Sequence, residues 1–372
     1  MSSPVPSIRR QSGFTLIELM IGVLIGLMAS LAVTHVLVNS EGQKRTTTSG
    51  SDAQVNGALA LATLQRALQP AGYGFTTTPN VIGCTLTAVF NGAPVTDFPA
   101  SLVPLTITDG ASGAPDSLRV LASGKSSFSV PLRIVAPGNS LTNYPVGSVR
   151  SIVSGDLVIA ADAINSAPSV PCRVMQVTAN PGSVPEVVNG ATSGWNAGPP
   201  AAGLFPDGGA LLNMGTPMDV TYAIAGNALT VRTLTLDATT SEPDYPAATE
   251  LFPNIVQLQA LYGKATVTPG VVDTWDNVAP ATPALWQQVI AVRIAVVARN
   301  SQYEKEDVTH TNVAWDVGTA GTVAGSAACT TTSGAASRCI SIKIDGLGDD
   351  WKRYRYRLFD TIVPLRNMLW SS

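Results

Sequence analysis

"RRQSGFTLIELMIGVLIGLMASLAVTHVLV" (Arg9–Val38) decides how the rest of the chain is read. From Phe14 to Val38 the only charged side chain is Glu18. As a helix this run spans about 37 Å, enough to cross a hydrocarbon core of about 30 Å with some tilt. Arg9 and Arg10 precede it, and no Lys or Arg follows until Lys44. That asymmetry predicts a cytoplasmic N-terminus and export of everything after Val38. An ordinary secretory signal places its small-residue cleavage site after the apolar run; here the small residue, Gly13, precedes it. Glu18 needs its own explanation, because an ionised carboxylate at membrane depth costs several kcal/mol, with Asp at a helix centre at about 2.5 to 3.5. Either a partner offsets that cost or the side chain snorkels to the interface.

"SGFTLIELM" resembles the class III signal of type IV prepilins and type II secretion pseudopilins. The resemblance implies that a prepilin peptidase cuts between Gly13 and Phe14, methylates Phe14, and leaves the apolar helix attached. It also implies that Glu18 pairs with a mature N-terminal amine, its own or a neighbouring subunit's, and so sets the axial register of packed helices. Gly22, Gly26 and Ser30 form a small-residue stripe at spacing four, which permits close helix approach. His35 marks the outer interface. Major pilins commonly carry a Pro in this helix, and this chain does not.

Beyond Val38, Gly42, Thr46 to Thr48 and Gly50 are poor helix formers and predict a break. From Asp52 an apolar face forms on Leu61, Leu64 and Leu68, ended by Pro70, Gly72 and Gly74. After Tyr73 the pattern turns strand-like. Strands are expected in "DSLRVLA" from Asp116, "DLVIAA" from Asp156, "CRVMQVT" from Cys172, "MDVTYAIA" from Met218, "ALTVRTLTL" from Ala228, "IVQLQALYG" from Ile255 and "VIAVRIAVVARN" from Val289. Gly226-Asn227 is a hairpin turn between two of them. Alternation places Val220, Tyr222 and Ile224 on one strand face. A hydrophobic share of 45%, with 33 Gly and 26 Pro, fits a folded, turn-rich head rather than a disordered chain.

"LQRALQPAGYGF" (Leu64–Phe75), "NIVQLQALYG" (Asn254–Gly263), "LWQQVIAVRIAVVARN" (Leu285–Asn300) and "RYRYRLFDTIVPLRNM" (Arg353–Met368) together resemble PilW-type minor pilins. The long loop from Val184 to Gly215 matches nothing in that pattern. The expected fold is α+β and pilin-like: a long N-terminal helix, transmembrane in its first half, on a large antiparallel β-rich head. The expected segments are a leader (1–13), an assembly helix (14–38), a helix extension (39–72) and a periplasmic head (73–372). The resemblance implies a subunit that helps to initiate the type IV pilus from a tip complex. Its partners would be other minor pilins, the major pilin, the inner-membrane assembly platform and a tip adhesin. Before assembly it would sit in the inner membrane with a periplasmic head, and afterwards at the cell surface. A type II secretion pseudopilin of the J class shares the signal; a membrane-tethered binding protein is the reading from a different class.

Four cysteines in an exported head read as disulfides. Cys329 and Cys339 bracket a Gly/Ser/Thr-rich loop and suggest one bridge, leaving Cys84 with Cys172, although more than one connectivity is open. In "WKRYRYRLFD" a strand would put Arg353, Arg355 and Arg357 on one face and Tyr354, Tyr356 and Leu358 on the other, an amphipathic sheet edge. A net charge of −3 argues against general attraction to nucleic acid. Asp345, Asp349 and Asp350 in "DGLGDDW" lack the spacing of an EF-hand and read as a solvated turn. His35 and His310 are the only histidines, and no phosphate-binding loop, dinucleotide fingerprint or nucleophile elbow is present. No enzyme activity, cofactor or metal is expected.

Overall fold

The computed structural model describes residues 13–126, 129–135, 142–164, 170–198, 205–323, 325–329 and 337–369; Arg9 and Arg10 lie outside them. The chain divides into two units, Met1–Ser51 and Asp52–Ser372. A single helix, Leu16–Leu68, opens it. Its backbone stays helical through Gly42, Thr46 to Thr48 and Gly50, so the expected break does not occur. Intrinsic propensities differ by less than about 1 kcal/mol per residue and are easily overridden.

In the second unit the helix lays Ala53, Ala60, Leu64 and Leu68 into the largest core cluster, with Leu61 packed against it. Gly57 is buried on the same face beneath the Phe359 ring, where a Cβ would collide with the ring atoms. Beneath the helix lies a four-stranded sheet, ordered Thr274–Asp276, Ile255–Lys264, Val289–Arg299 and Tyr356–Pro364. Its central strands read as near-continuous apolar runs because both faces are covered. Leu258, Ala260, Tyr262, Val292, Ile294 and Val296 face the helix side. Leu261, Ala291, Ala295 and Val297 face Trp315, Val317 and Ile342 of a three-stranded sheet.

A second sheet in the helix-side core is antiparallel, ordered Thr249–Pro253, Ala228–Thr233, Met218–Ala225, Ser117–Ala122 and Leu105–Thr108. Its central hairpin turns at Gly226 and Asn227, with φ of 58° and 62°, the left-handed pair that a two-residue hairpin turn of the primed kind requires. Tyr222 is buried in the helix-side core, with Val220 and Ile224 packed beside it.

Another five-stranded sheet is ordered Leu86–Thr87, Cys172–Gln176, Leu157–Ala161, Ala210–Gly215 and Leu132–Arg133. Leu157, Ile159, Leu212 and Val174 face one apolar cluster. Val158, Ala160, Leu211 and Met175 face another. Among the described residues the strand pairs of the head are antiparallel except for Leu86–Thr87, which runs parallel to Cys172–Arg173, and an isolated parallel bridge joins Trp275 to Gly321. All seven expected strands are present, the Ala228 segment as two short strands. The Val184 to Gly215 segment, which the sequence left as loop, contains Glu186–Val188 and Ala210–Gly215.

Candidate functional site

The helix begins with a reciprocal cap. Thr15 and Glu18 stand at the capping residue and three residues on, the S/T-x-x-E arrangement that satisfies free N–H groups at a helix start. Glu18 N donates to Thr15 Oγ1 at 3.3 Å, and Thr15 N donates to Glu18 Oε2 at 3.5 Å. Thr15 Oγ1 also donates to Glu18 Oε2 at 3.4 Å. The acid therefore sits beside the positive end of the helix dipole, an ordinary place for a carboxylate. The sequence reading missed this local role, although T-L-I-E carries the signature.

From Leu16 to Val38 the helix is long and apolar enough to cross a membrane, and none of this stretch is buried. Phe14 just before it is 84% exposed. A Cβ built on Gly13, Gly22 or Gly26 meets nothing within 4 Å. Thr34 Oγ1 donates to Ser30 O at 2.8 Å, so the polar hydroxyl is absorbed within the helix.

Two disulfides brace the head: Cys84–Cys172, with Cα atoms 6.0 Å apart, and Cys329–Cys339, with Cα atoms 5.1 Å apart. Both separations lie in the ordinary range for such bridges. Cys84 and Cys172 are buried in the core that holds Trp195, and Cys172 N donates to Thr85 O at 2.9 Å. Asp316 approaches Cys329 and Cys339, but both sulfurs belong to the disulfide.

The C-terminal alternation is displaced from its expected start. Trp351–Arg353 is a 3-10 turn, and the edge strand begins at Tyr356. Arg353 therefore does not share a strand face with Arg355 and Arg357. It pairs with Asp350 at 3.3 Å, while Arg355 pairs with Glu304 at 3.0 Å. Arg299 stacks 4.5 Å from the centre of the Tyr354 ring, with both residues half-buried. Asp345 accepts from Asn312 Nδ2 at 3.2 Å. His310 lies on an exposed loop.

Two buried acids that sequence inspection passed over organise the head. Asp116 is 2% exposed and accepts from Gly110 N at 2.9 Å and Ala260 N at 2.8 Å, tying the hairpin 105–122 to the central sheet. Burial pushes its carboxyl up to about 6, against the opposing pull of those two N–H groups. Asp219 is 1% exposed. It receives Arg119 through Nε at 2.7 Å and Nη2 at 2.5 Å, and the Tyr245 hydroxyl at 2.6 Å. Burial and the neighbouring Asp219 carboxylate push the Tyr245 phenol well up, so it remains a donor. Neither acid is signalled by its neighbours in sequence; each is matched by residues distant along the chain.

Residues 8–34 match the prokaryotic N-terminal methylation motif, and residues 221–367 match the type IV pilus-assembly protein W family. A type IV-like pilin from Thermus thermophilus aligns at 11% identity with a TM-score of 0.33, covering 85% of this chain and 96% of that one. No curated protein matches the sequence. The methylation motif and apolar helix are features of membrane anchoring and pilus association, and pilins are structural subunits rather than enzymes. With that motif at its start and the assembly-protein W segment filling the last part of its β-rich head, the chain is similar to PilW-type type IV pilins at both ends.

Proposed function

We propose that this minor pilin helps to initiate the type IV pilus from a tip complex with other minor pilins. The observation that carries the reading is the wholly exposed apolar helix whose single charge, Glu18, is held at its first turn. Exposed apolar surface on this scale calls for lipid before assembly and for other helices afterwards. On this reading the peptidase cuts after Gly13, Phe14 becomes the methylated terminus, and residues 39–72 join the assembly helix to a periplasmic head. Glu18 then rewards the correct axial register with a neighbouring amine, and Gly22 and Gly26 admit close helix neighbours. A few copies lower the nucleation barrier, because later subunits add to helices already aligned. The major pilin, the assembly platform and a tip adhesin complete its set of partners.

The test is a count of surface pili by electron microscopy in a deletion strain with retraction disabled, with type II exoprotein secretion assayed in parallel. Loss of pili with normal secretion supports initiation. Intact pili with failed secretion transfers the protein to the J-class pseudopilin reading. Immunogold label spread evenly along the shaft would remove the tip placement.

A further inference from the structure

An open groove of about 550 Å³ lies on the head, bounded by the turn at Phe90-Asn91, the Ser154-Gly155 turn, the segment 192–194 and the hairpin tip 238–241. Among the described residues, none of those lining it carries a charge. One neighbouring carboxylate, Asp237, is taken up by its own turn: it accepts from Thr239 N at 2.9 Å, Thr240 N at 2.7 Å and Thr240 Oγ1 at 2.9 Å.

The floor is rigid. Gln176, 7% exposed, donates through Nε2 to Gly155 O at 3.1 Å and to Ser241 Oγ at 2.8 Å, and its Oε1 accepts from Ser193 Oγ at 2.5 Å. Buried Trp195 donates through Nε1 to Ser241 O at 2.7 Å. Phe90 stands edge-on to Trp195 with ring centres 5.8 Å apart, which fixes an aromatic wall. At the rim, the exposed side chains of Asn91, Thr192 and Thr239 make no hydrogen bond among the described residues. Asn91 is held at φ 50°, in the left-handed region, and its Oδ1 lies beside Gly194 of the groove.

We propose that this groove binds a neutral saccharide. Its rim offers an amide and two hydroxyls, groups that both donate and accept and so match the alternating donors and acceptors of a polyol. The Phe90 ring supplies an apolar surface for the C–H face of a pyranose. With no charged side chain among its described lining residues, the groove offers no ion-pair partner to phosphates, sialylated glycans or cationic peptides, and its volume falls in the range of small-ligand sites. The inference goes beyond the pilin reading and does not depend on it, since binding is read on the isolated chain.

Saturation-transfer NMR tests it on the full chain in detergent micelles, using lactose, cellobiose, maltose and N-acetyllactosamine. Sialyllactose and an uncharged Gly-Ser-Asn-Ser peptide serve as controls. At least one neutral disaccharide should receive saturation. Asn91→Gly keeps the positive-φ turn and Thr239→Val keeps the side-chain volume; together they remove two hydrogen-bonding groups and should weaken binding about tenfold. Thr192→Arg should block the groove, and circular dichroism should show all variants folded. The proposal is overturned if no neutral saccharide is saturated, if only sialyllactose or the peptide is, or if the folded variants bind as the parent does.

Discussion

Thr15 and Glu18 present one carboxylate with two tasks, and substitution can separate them. Gln at position 18 retains the side chain needed for a capping box but loses the charge. Glu18→Gln should therefore insert into membranes normally and fail to restore pili in the deletion strain; restored pili would reduce Glu18 to a helix cap. Thr15→Val should cost about 1 kcal/mol of helix-start stability and leave pili present. Asp116 makes a prediction in pH. Its folded-state carboxyl titrates at about 6, above its ordinary value of 3.8, so the folded head holds this proton more tightly than the unfolded chain does. Stability from this site is accordingly greatest below about pH 4 and falls as pH rises through 6. Urea midpoints measured between pH 4 and 7 should show that decline, and Asp116→Asn should flatten it while losing one of the two N–H acceptances.

Among the elements, Gly57 governs how closely the helix approaches the edge strand Tyr356–Pro364. Gly57→Val must push the Phe359 ring aside, and overpacking of this kind costs about 1 to 3 kcal/mol even after the gain in helix propensity. A lower melting temperature in Gly57→Val that is recovered with Phe359→Leu would identify the contact as the cause. Strands such as Val289–Arg299 and Ile255–Lys264 were legible because burial on both faces leaves a long apolar run that only a covered strand of this length explains. Ala210–Gly215 was not. It is buried throughout, but Asn213 interrupts its apolar pattern, and the amide's bonds to Ser151 O and Asp156 come from elsewhere in the chain. The helix break expected at Gly42 to Gly50 does not form for a related reason: weak local propensity is outweighed by the continuous helix on either side. At the candidate assembly site the residue types were legible, whereas the reciprocal cap became visible only with the geometry of the first turn.

Over the whole molecule, the two disulfides differ in reach: one spans 88 residues and the other 10. In the loop-entropy view the longer closure contributes about 4 to 5 kcal/mol and the shorter about 2 to 3. The Cys84→Ser, Cys172→Ser double variant should therefore lower the urea midpoint of the head more than Cys329→Ser, Cys339→Ser does. Both bridges also join cysteines that are nearest neighbours in the order Cys84, Cys172, Cys329, Cys339. For a head that emerges behind a membrane-held helix into an oxidising compartment, starting from its helix-proximal end, each thiol meets its proper mate before the next pair has emerged. Cells without a disulfide isomerase should then yield this protein with the same non-reducing gel mobility as wild type, because order of arrival alone selects the pairing.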